Sequence, residues 1–177
     1  MKHKPPTALV CAASALLLLA VQPGNAQILS GFDHFSNGDY CKAREVWRKD
    51  WARGEAIAAF GMGETYARGL CVEENQRRAS EWYLKAAIGG SARARSELGL
   101  RYAYGRGVAQ SYFKSYVWLL AARMSASPWE RTLLDAVQKN MLIVGARISM
   151  GQRQEAEAIG EGFARTYQLP ALFSELD

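Results

Sequence analysis

The sequence predicts an all-α protein, a right-handed α-solenoid built from antiparallel helix pairs. Two observations lead to this prediction. The chain repeats itself at a spacing of 36 residues, and each repeat places apolar residues at helical spacing on both sides of a glycine-bearing turn. Periods of about 20 to 50 residues are typical of stacked units that bury their apolar faces against their neighbours. The residues that coincide at this offset are Gly63/Gly99, Tyr66/Tyr102, Gly69/Gly105, Val72/Val108, Trp82/Trp118 and Ala86/Ala122.

The two complete repeats span residues 55–90 and 91–126. In each repeat the first helix should end at a glycine, which readily adopts the left-handed conformation of a helix C-terminus. The second helix should begin at a polar N-cap residue. A glycine inside each first helix, Gly63 or Gly99, indicates that two helices approach closely there. The predicted helix ends are Gly69 and Gly105, and the predicted N-caps are Asn75 and Ser111.

Atypical units flank the two complete repeats. Residues 27–54 form a degenerate first repeat, whose connector is five residues shorter and in which Asp39 takes the N-cap position of Asn75. Residues 127–177 form two capping helices and a tail, because terminal repeats commonly differ from the others. The predicted helix starts are Ser127 to Glu130 and Ser149 to Gln152, and the predicted buried residues of the first capping helix are Leu133, Val137, Met141, Leu142 and Ile143.

The first 26 residues predict a secretory signal peptide. Lys2 and Lys4 precede an apolar stretch of 15 residues, and a site of small residues ends at Ala26. An uncleaved membrane anchor is the alternative, but a bilayer span needs about 20 apolar residues. We therefore expect cleavage after Ala26, no stable membrane insertion after cleavage, and a periplasmic or secreted protein.

The charge of the mature chain argues against nucleic acid as a partner. Two of the 22 basic residues leave with the signal peptide and all 17 acidic residues remain, so the mature chain has a net charge of +3. A nucleic-acid-binding domain is usually far more basic, with the basic residues gathered on one face. The sequence shows no basic stripe interleaved with aromatic residues.

Two cysteines, Cys41 and Cys71, remain after Cys11 leaves with the signal peptide. An even number of cysteines in an oxidising compartment favours a disulfide, and two buried thiols are the alternative. Stacking brings neighbouring connectors to the same edge of the array. A bridge would therefore join the degenerate first unit to the first complete repeat.

The sequence carries no motif that predicts a catalytic, cofactor or metal site. His34 is the one histidine of the mature chain, and no His-x-x-x-His or Cys-x-x-Cys spacing is present. Residues Ser111 to Lys114 match the Ser-x-x-Lys pattern of penicillin-recognising enzymes, but the companion motifs are absent. We therefore expect a protein that is not an enzyme and has no cofactor. The predicted helix-surface ion pairs are Glu81 with Lys85 and Glu97 with Arg101.

The string LGLRYAYGRGV, from Leu98 to Val108, followed by Trp118 and two alanines, resembles the Sel1-like repeat, a relative of the tetratricopeptide repeat. The family pattern is A-x-x-x-L-G-x-x-Y-x-x-G-x-G-V, then A-x-x-W-Y-x-x-A-A-x-x-G. The strings MGETYARGLCV and ASEWYLKAAIGG match it too, with Cys71 in place of the second connector glycine. The resemblance covers about residues 31–166 and implies an adaptor or regulatory role at the bacterial cell envelope.

The resemblance also implies where an unidentified protein or peptide partner in the cell envelope binds, because first helices line the concave face of tetratricopeptide-type stacks. The side chains predicted to contact the partner are Glu64, Arg68, Arg101 and Tyr104. Two alternatives stay open. One is binding of cell-wall glycan or peptide, and the other is weak penicillin-binding or β-lactamase-like activity through Ser111. The aromatic residues that suggest the first alternative are Trp129, Tyr112 and Tyr104.

Overall fold

A computed structural model describes residues 31–166, with side chains described as far as residue 161. All regular secondary structure in this range is helical, which confirms the predicted all-α class. The predicted signal peptide and the residues after 166 lie outside this range. None of the described helices is both long and apolar enough to cross a membrane. The helices are α1 (residues 31–36), α2 (Tyr40–Ala52), α3 (Ala56–Arg68), α4 (Gln76–Ile88), α5 (Ala92–Tyr104), α6 (Tyr112–Ser125), α7 (Arg131–Gly145) and α8 (Met150–Thr166).

From α2 to α7 each helix packs on the next one in the chain, and the antiparallel pairs stack. The most extensive contacts join α3 to α4 and α5 to α6, which are the two helices of each complete repeat. Contacts of α2 with α3 and of α4 with α5 stack one unit on the next, and α7 and α8 both pack on α6. The predicted α-solenoid is therefore confirmed.

The turns inside the two complete repeats have the predicted geometry. Gly69 and Gly105 end α3 and α5 with φ of 65° and 68°, in the left-handed region. The side chains of Asn75 and Ser111 accept hydrogen bonds from backbone N–H groups three residues later, at 2.9 and 3.2 Å. The prediction for Asp39 is wrong in this respect, because its side chain makes no capping hydrogen bond. Its carboxylate instead lies near Nζ of Lys42 and Nδ1 of His34, at 3.5 and 3.7 Å.

A large side chain from the second helix covers a glycine of the first helix in each repeat. A Cβ atom added at Gly63 would lie 2.8 Å from the ring of Tyr83, and one added at Gly99 would lie 2.8 Å from Leu119. Tyr83 and Leu119 are themselves 36 residues apart. The glycines therefore leave room for a buried side chain, which sets the distance between the paired helices.

Trp47 has the equivalent position in the degenerate unit and packs between two glycines. Its indole ring is fully buried. A Cβ atom at Gly61 of α3 would lie 2.3 Å from the ring, and one at Gly31 of α1 would lie 2.4 Å from it. This tryptophan thus joins the first unit to the first complete repeat.

The capping helices match the sequence predictions in part. Ser149 and Gln152 form the predicted reciprocal capping box, with hydrogen bonds of 3.0 and 3.2 Å. The earlier helix begins later than predicted, at Arg131, although Glu130 accepts a hydrogen bond from the backbone N–H of Ser127 at 2.9 Å.

The core face of α7 also differs from the prediction. Val137 and Met141 are buried as predicted, whereas Leu142 and Ile143 are exposed. Val144 is buried in their place, because residues 137, 141 and 144 have the four- and three-residue spacing of one helix face.

A disulfide joins Cys41 in α2 to Cys71 in the connector between α3 and α4, with the Cα atoms 5.1 Å apart. Cys71 has a φ of 62°, in a region that favours glycine. The residue 36 positions later, Gly107, has a φ of 72°. The bridge therefore links two consecutive units, and Cys71 occupies a position at which the next repeat has a glycine.

We expect Gly63→Ala to lower the free energy of unfolding by about 1–2 kcal/mol, because the added methyl group displaces the buried Tyr83 ring. Gly151→Ala on α8 is the matched control, since its nearest neighbour would be 4.0 Å away. That variant should be as stable as wild type or slightly more stable. Urea unfolding measures both, and equal stability of the two variants would contradict this account of the packing.

A second prediction isolates the backbone conformation of Cys71. In a Cys41→Ala background, which removes the bridge from both variants, Cys71→Gly should be about 1 kcal/mol more stable than Cys71→Ala. Both double variants should be less stable than the oxidised wild type, by about 3–4 kcal/mol for the closure of a loop of this length. Equal urea midpoints for the two double variants would show that the left-handed conformation is not maintained at position 71.

Candidate functional site: the inner groove

Two adjoining cavities, of about 610 and 500 Å³, lie along the first helices of the units. They share Phe32 of α1, Phe60 of α3 and Arg93 of α5, and α7 closes the second cavity through Thr132 and Ala136. We call this surface the inner groove. It forms because the stack places every first helix on the same side of the array.

Aromatic rings form one wall of the inner groove. Phe32 and Phe35 pack on Trp47, with ring centroids 5.1 and 5.5 Å apart. Phe60 packs on Tyr83 with centroids 5.6 Å apart. These contacts hold the rings in fixed positions, so the groove offers a rigid apolar surface.

Glu64 lies beside this wall and is fully engaged by neighbouring side chains. Its Oε1 accepts a hydrogen bond of 2.6 Å from the hydroxyl of Tyr83, and its Oε2 is 2.8 Å from Nη2 of Arg68. Burial and the hydrogen bond to Glu64 raise the pKa of Tyr83. Tyr83 therefore stays a neutral donor that fixes the Glu64 carboxylate.

Glu97, one unit further along, also lines the groove, and it is half-buried. Among the described residues, no hydrogen bond or salt bridge engages its carboxylate. Burial raises the pKa of Glu97, and the negative charge of Glu64 raises it further. The positive charges of Arg101, Arg68 and Arg106 oppose this rise without cancelling it.

The structure brings three of the four predicted contact residues together. Glu64, Arg68 and Arg101 line a cavity of about 390 Å³ together with Glu97. Tyr104 is separate from them: it is 62% exposed and lines a different cavity of about 120 Å³. The predicted set is therefore one cluster and one isolated aromatic residue.

Arg101 has a structural role that its sequence position did not reveal. Its side chain is 5% exposed and lies 4.6 Å above the ring of Tyr83. Its Nη1 donates to the backbone oxygen of Gln76 at 3.2 Å and to the Ser80 hydroxyl at 3.3 Å. The guanidinium thus stabilises the start of α4, and the structure does not support it as an exposed contact.

The two predicted helix-surface ion pairs, Glu81 with Lys85 and Glu97 with Arg101, are not formed. Glu97 makes no salt bridge with Arg101, and Glu81 lies 3.7 Å from Arg77. Lys85 instead places its Nζ 4.1 Å above the ring of Trp82. Sequence reasoning therefore missed Glu97 as a groove residue. The repeat pattern could have indicated it. Glu97 lies two residues before Gly99 of α5, and the equivalent position of α3 is Gly61.

The residues behind the two alternative functions do not form a second site. Trp129 is 82% exposed and lines none of the cavities described above, whereas Tyr104 and Tyr112 share the small cavity near α7. The hydroxyl of Ser111 caps α6, and Lys114 is buried with its Nζ 5.5 Å above the ring of Tyr102. No group of three or more His, Cys, Asp or Glu residues in the described range is placed to hold a metal ion.

We expect Glu97→Gln to increase stability at neutral pH. Because the folded protein raises the pKa of this carboxyl group, its charged form costs stability at pH values above that pKa. The cost disappears as the pH falls and Glu97 becomes protonated. The stability difference between variant and wild type should therefore be largest near pH 7 and shrink toward pH 4, as measured by urea unfolding. Glu81→Gln, at an exposed position of α4, should show no comparable gain, and a gain of equal size would contradict the prediction.

Comparison with known proteins identifies the repeats. The Sel1 repeat family matches residues 56–91 and 92–125. Among solved structures, the chain is similar to c5321 of uropathogenic Escherichia coli, described as a protective antigen displaying an SLR fold. The identity is 28% and the TM-score 0.71, over 81% of this chain and 30% of that one.

A Sel1 repeat protein from Oxalobacter formigenes is similar over 54% of this chain and 40% of that one, with 32% identity and a TM-score of 0.52. The chain thus spans less than half the length of either solved protein. No curated protein sequence matches it at a significant level. The 36-residue period, the helix pairs and these matches together show that residues 56–125 form two Sel1 repeats at the centre of an α-solenoid.

Proposed function

We propose that this protein is an exported adaptor that binds a segment of a partner protein in the inner groove. Sel1 repeat proteins are generally protein–protein interaction modules, and the family is typically non-catalytic. The observation that carries the proposal is the groove itself, with its aromatic wall and its charged side chains.

The shape of the groove favours an extended segment over a small compact ligand. Each of its cavities has the volume of a typical ligand site. Because the cavities adjoin and share Phe32 and Phe60, a ligand that fills both must run across several helices. Rigid aromatic residues in the centre of an interface often contribute most of the binding free energy. We therefore assign Phe32 and Phe60 as the apolar anchors, and Glu64 and Arg68 as polar contacts at their side.

An exported location is supported by two features of the chain. The first is the predicted signal peptide, and the second is the disulfide between Cys41 and Cys71. Disulfides persist in oxidising compartments and are rare where thiols are kept reduced. This location and the interaction surface together support the proposed adaptor role at the cell envelope.

Photo-crosslinking in the cells that produce the protein tests this proposal. A benzophenone side chain at Ala136, an exposed residue of α7 that lines the groove, should give a discrete cross-linked product in the exported fraction. Gln138, an exposed residue of the same helix that lines neither cavity, is the matched control and should give no such product. Equal products from both positions, or a product confined to the cytoplasm, would overturn the proposal.

A further inference from the structure

Glu97 is the unpaired acid of the inner groove. The other acidic residues that line its two cavities are both engaged: Glu64 by Tyr83 and Arg68, and Glu130 by the backbone N–H of Ser127. Glu97 has no such neighbour among the described residues, although it is half-buried. A partly desolvated carboxylate without a partner is costly, and a cation that enters the groove would remove that cost.

The surrounding charges do not supply that cation. Arg68 is paired with Glu64, and Arg101 is held by the start of α4. Arg93 lies one turn before Glu97 on α5, but its side chain is exposed and forms no salt bridge among the described residues. The groups around Glu97 are thus Glu64 and Arg68 of α3, Tyr83 of α4, Arg93 and Arg101 of α5, and Arg106 of the connector that follows α5.

The apolar wall adds a second requirement for the partner. The ring of Phe60 lines both cavities, and Leu133 of α7 lines the one that contains Glu97. A side chain that binds Glu97 from the groove must therefore run past apolar groups. Lysine and arginine meet this requirement because they carry their charge at the end of an apolar stem.

We propose that the partner segment carries a lysine or arginine whose side chain binds the Glu97 carboxylate, beside an apolar or aromatic side chain that packs on Phe60. This inference rests on the proposed function and names the chemistry of its partner. Glu97 is then a specificity-determining residue, while the apolar wall provides contact area. A charge-assisted hydrogen bond in a partly desolvated site changes affinity by about 10-fold or more.

Selection of random dodecapeptides displayed on phage, against the folded and oxidised protein, tests the inference. We expect the enriched peptides to contain a lysine or arginine next to an apolar or aromatic residue. A synthetic copy of an enriched peptide should lose about 10-fold in affinity when norleucine replaces its basic residue. Glu97→Gln should cause a similar loss and should no longer distinguish the two peptides, because the interaction is then already absent. Glu81→Gln, the same chemical change outside the groove, should bind like wild type.

The outcomes separate this inference from the function on which it rests. Enriched peptides without a basic residue would overturn the cation site and leave groove binding intact. Equal discrimination between the two peptides by wild type and Glu97→Gln would also overturn it. Failure to enrich any peptide would overturn the proposed function and the cation site together. Urea unfolding of Glu97→Gln confirms that any loss of binding occurs in a folded protein.

Discussion

The contact between a helix glycine and a large buried side chain is the interaction on which the rest of this structure depends. Tyr83 covers Gly63 so closely that no Cβ atom fits between them, and this contact sets the spacing of α3 and α4. The hydroxyl of the same tyrosine donates to Glu64 and fixes a carboxylate of the inner groove. Tyr83 therefore both sets the helix packing of the repeat and positions a charged group of the groove. A change that moves the ring would alter both the stack and the surface that a partner meets.

The first unit keeps this packing by different means. Its connector is short, and Trp47 replaces the tyrosine and fills the space between Gly31 and Gly61. The disulfide from Cys41 to Cys71 links the same two units at their edge. Cys71 adopts the left-handed backbone conformation that Gly107 has in the next repeat. The covalent link thus adds to the stability of the junction between the degenerate unit and the first complete repeat, where the sequence pattern is weakest.

The sequence predicts features that depend on local geometry and periodicity, and it predicts less well those that depend on a distant partner. Gly69 and Asn75 have roles that follow from their own backbone positions, so their predictions hold. Leu142 and Ile143 are apolar, but only the packed structure shows that α7 turns them away from α6. The sequence predicts an exposed Arg101, since its acceptors, such as the backbone oxygen of Gln76, lie 25 residues away in the chain. The contact role predicted for Glu64 and Arg68 stays a prediction, whereas the ion pair predicted between Glu97 and Arg101 is not formed and Glu97 lines the groove instead.

Successive repeats carry different residues at equivalent positions, and these differences explain how a repeat protein acquires a specific surface. Glu97 lies 36 residues after Gly61, and Tyr83 lies 36 residues after Trp47. In the first stacking contact the indole ring fills the space, and position 61 must be glycine. In the second contact the smaller phenol leaves room for a side chain at position 97, and the chain places a carboxylate there. The packing does not require that carboxylate, and its burial raises its pKa, which is the pattern expected of a group kept for recognition. Specificity in this stack therefore arises where one repeat departs from the next.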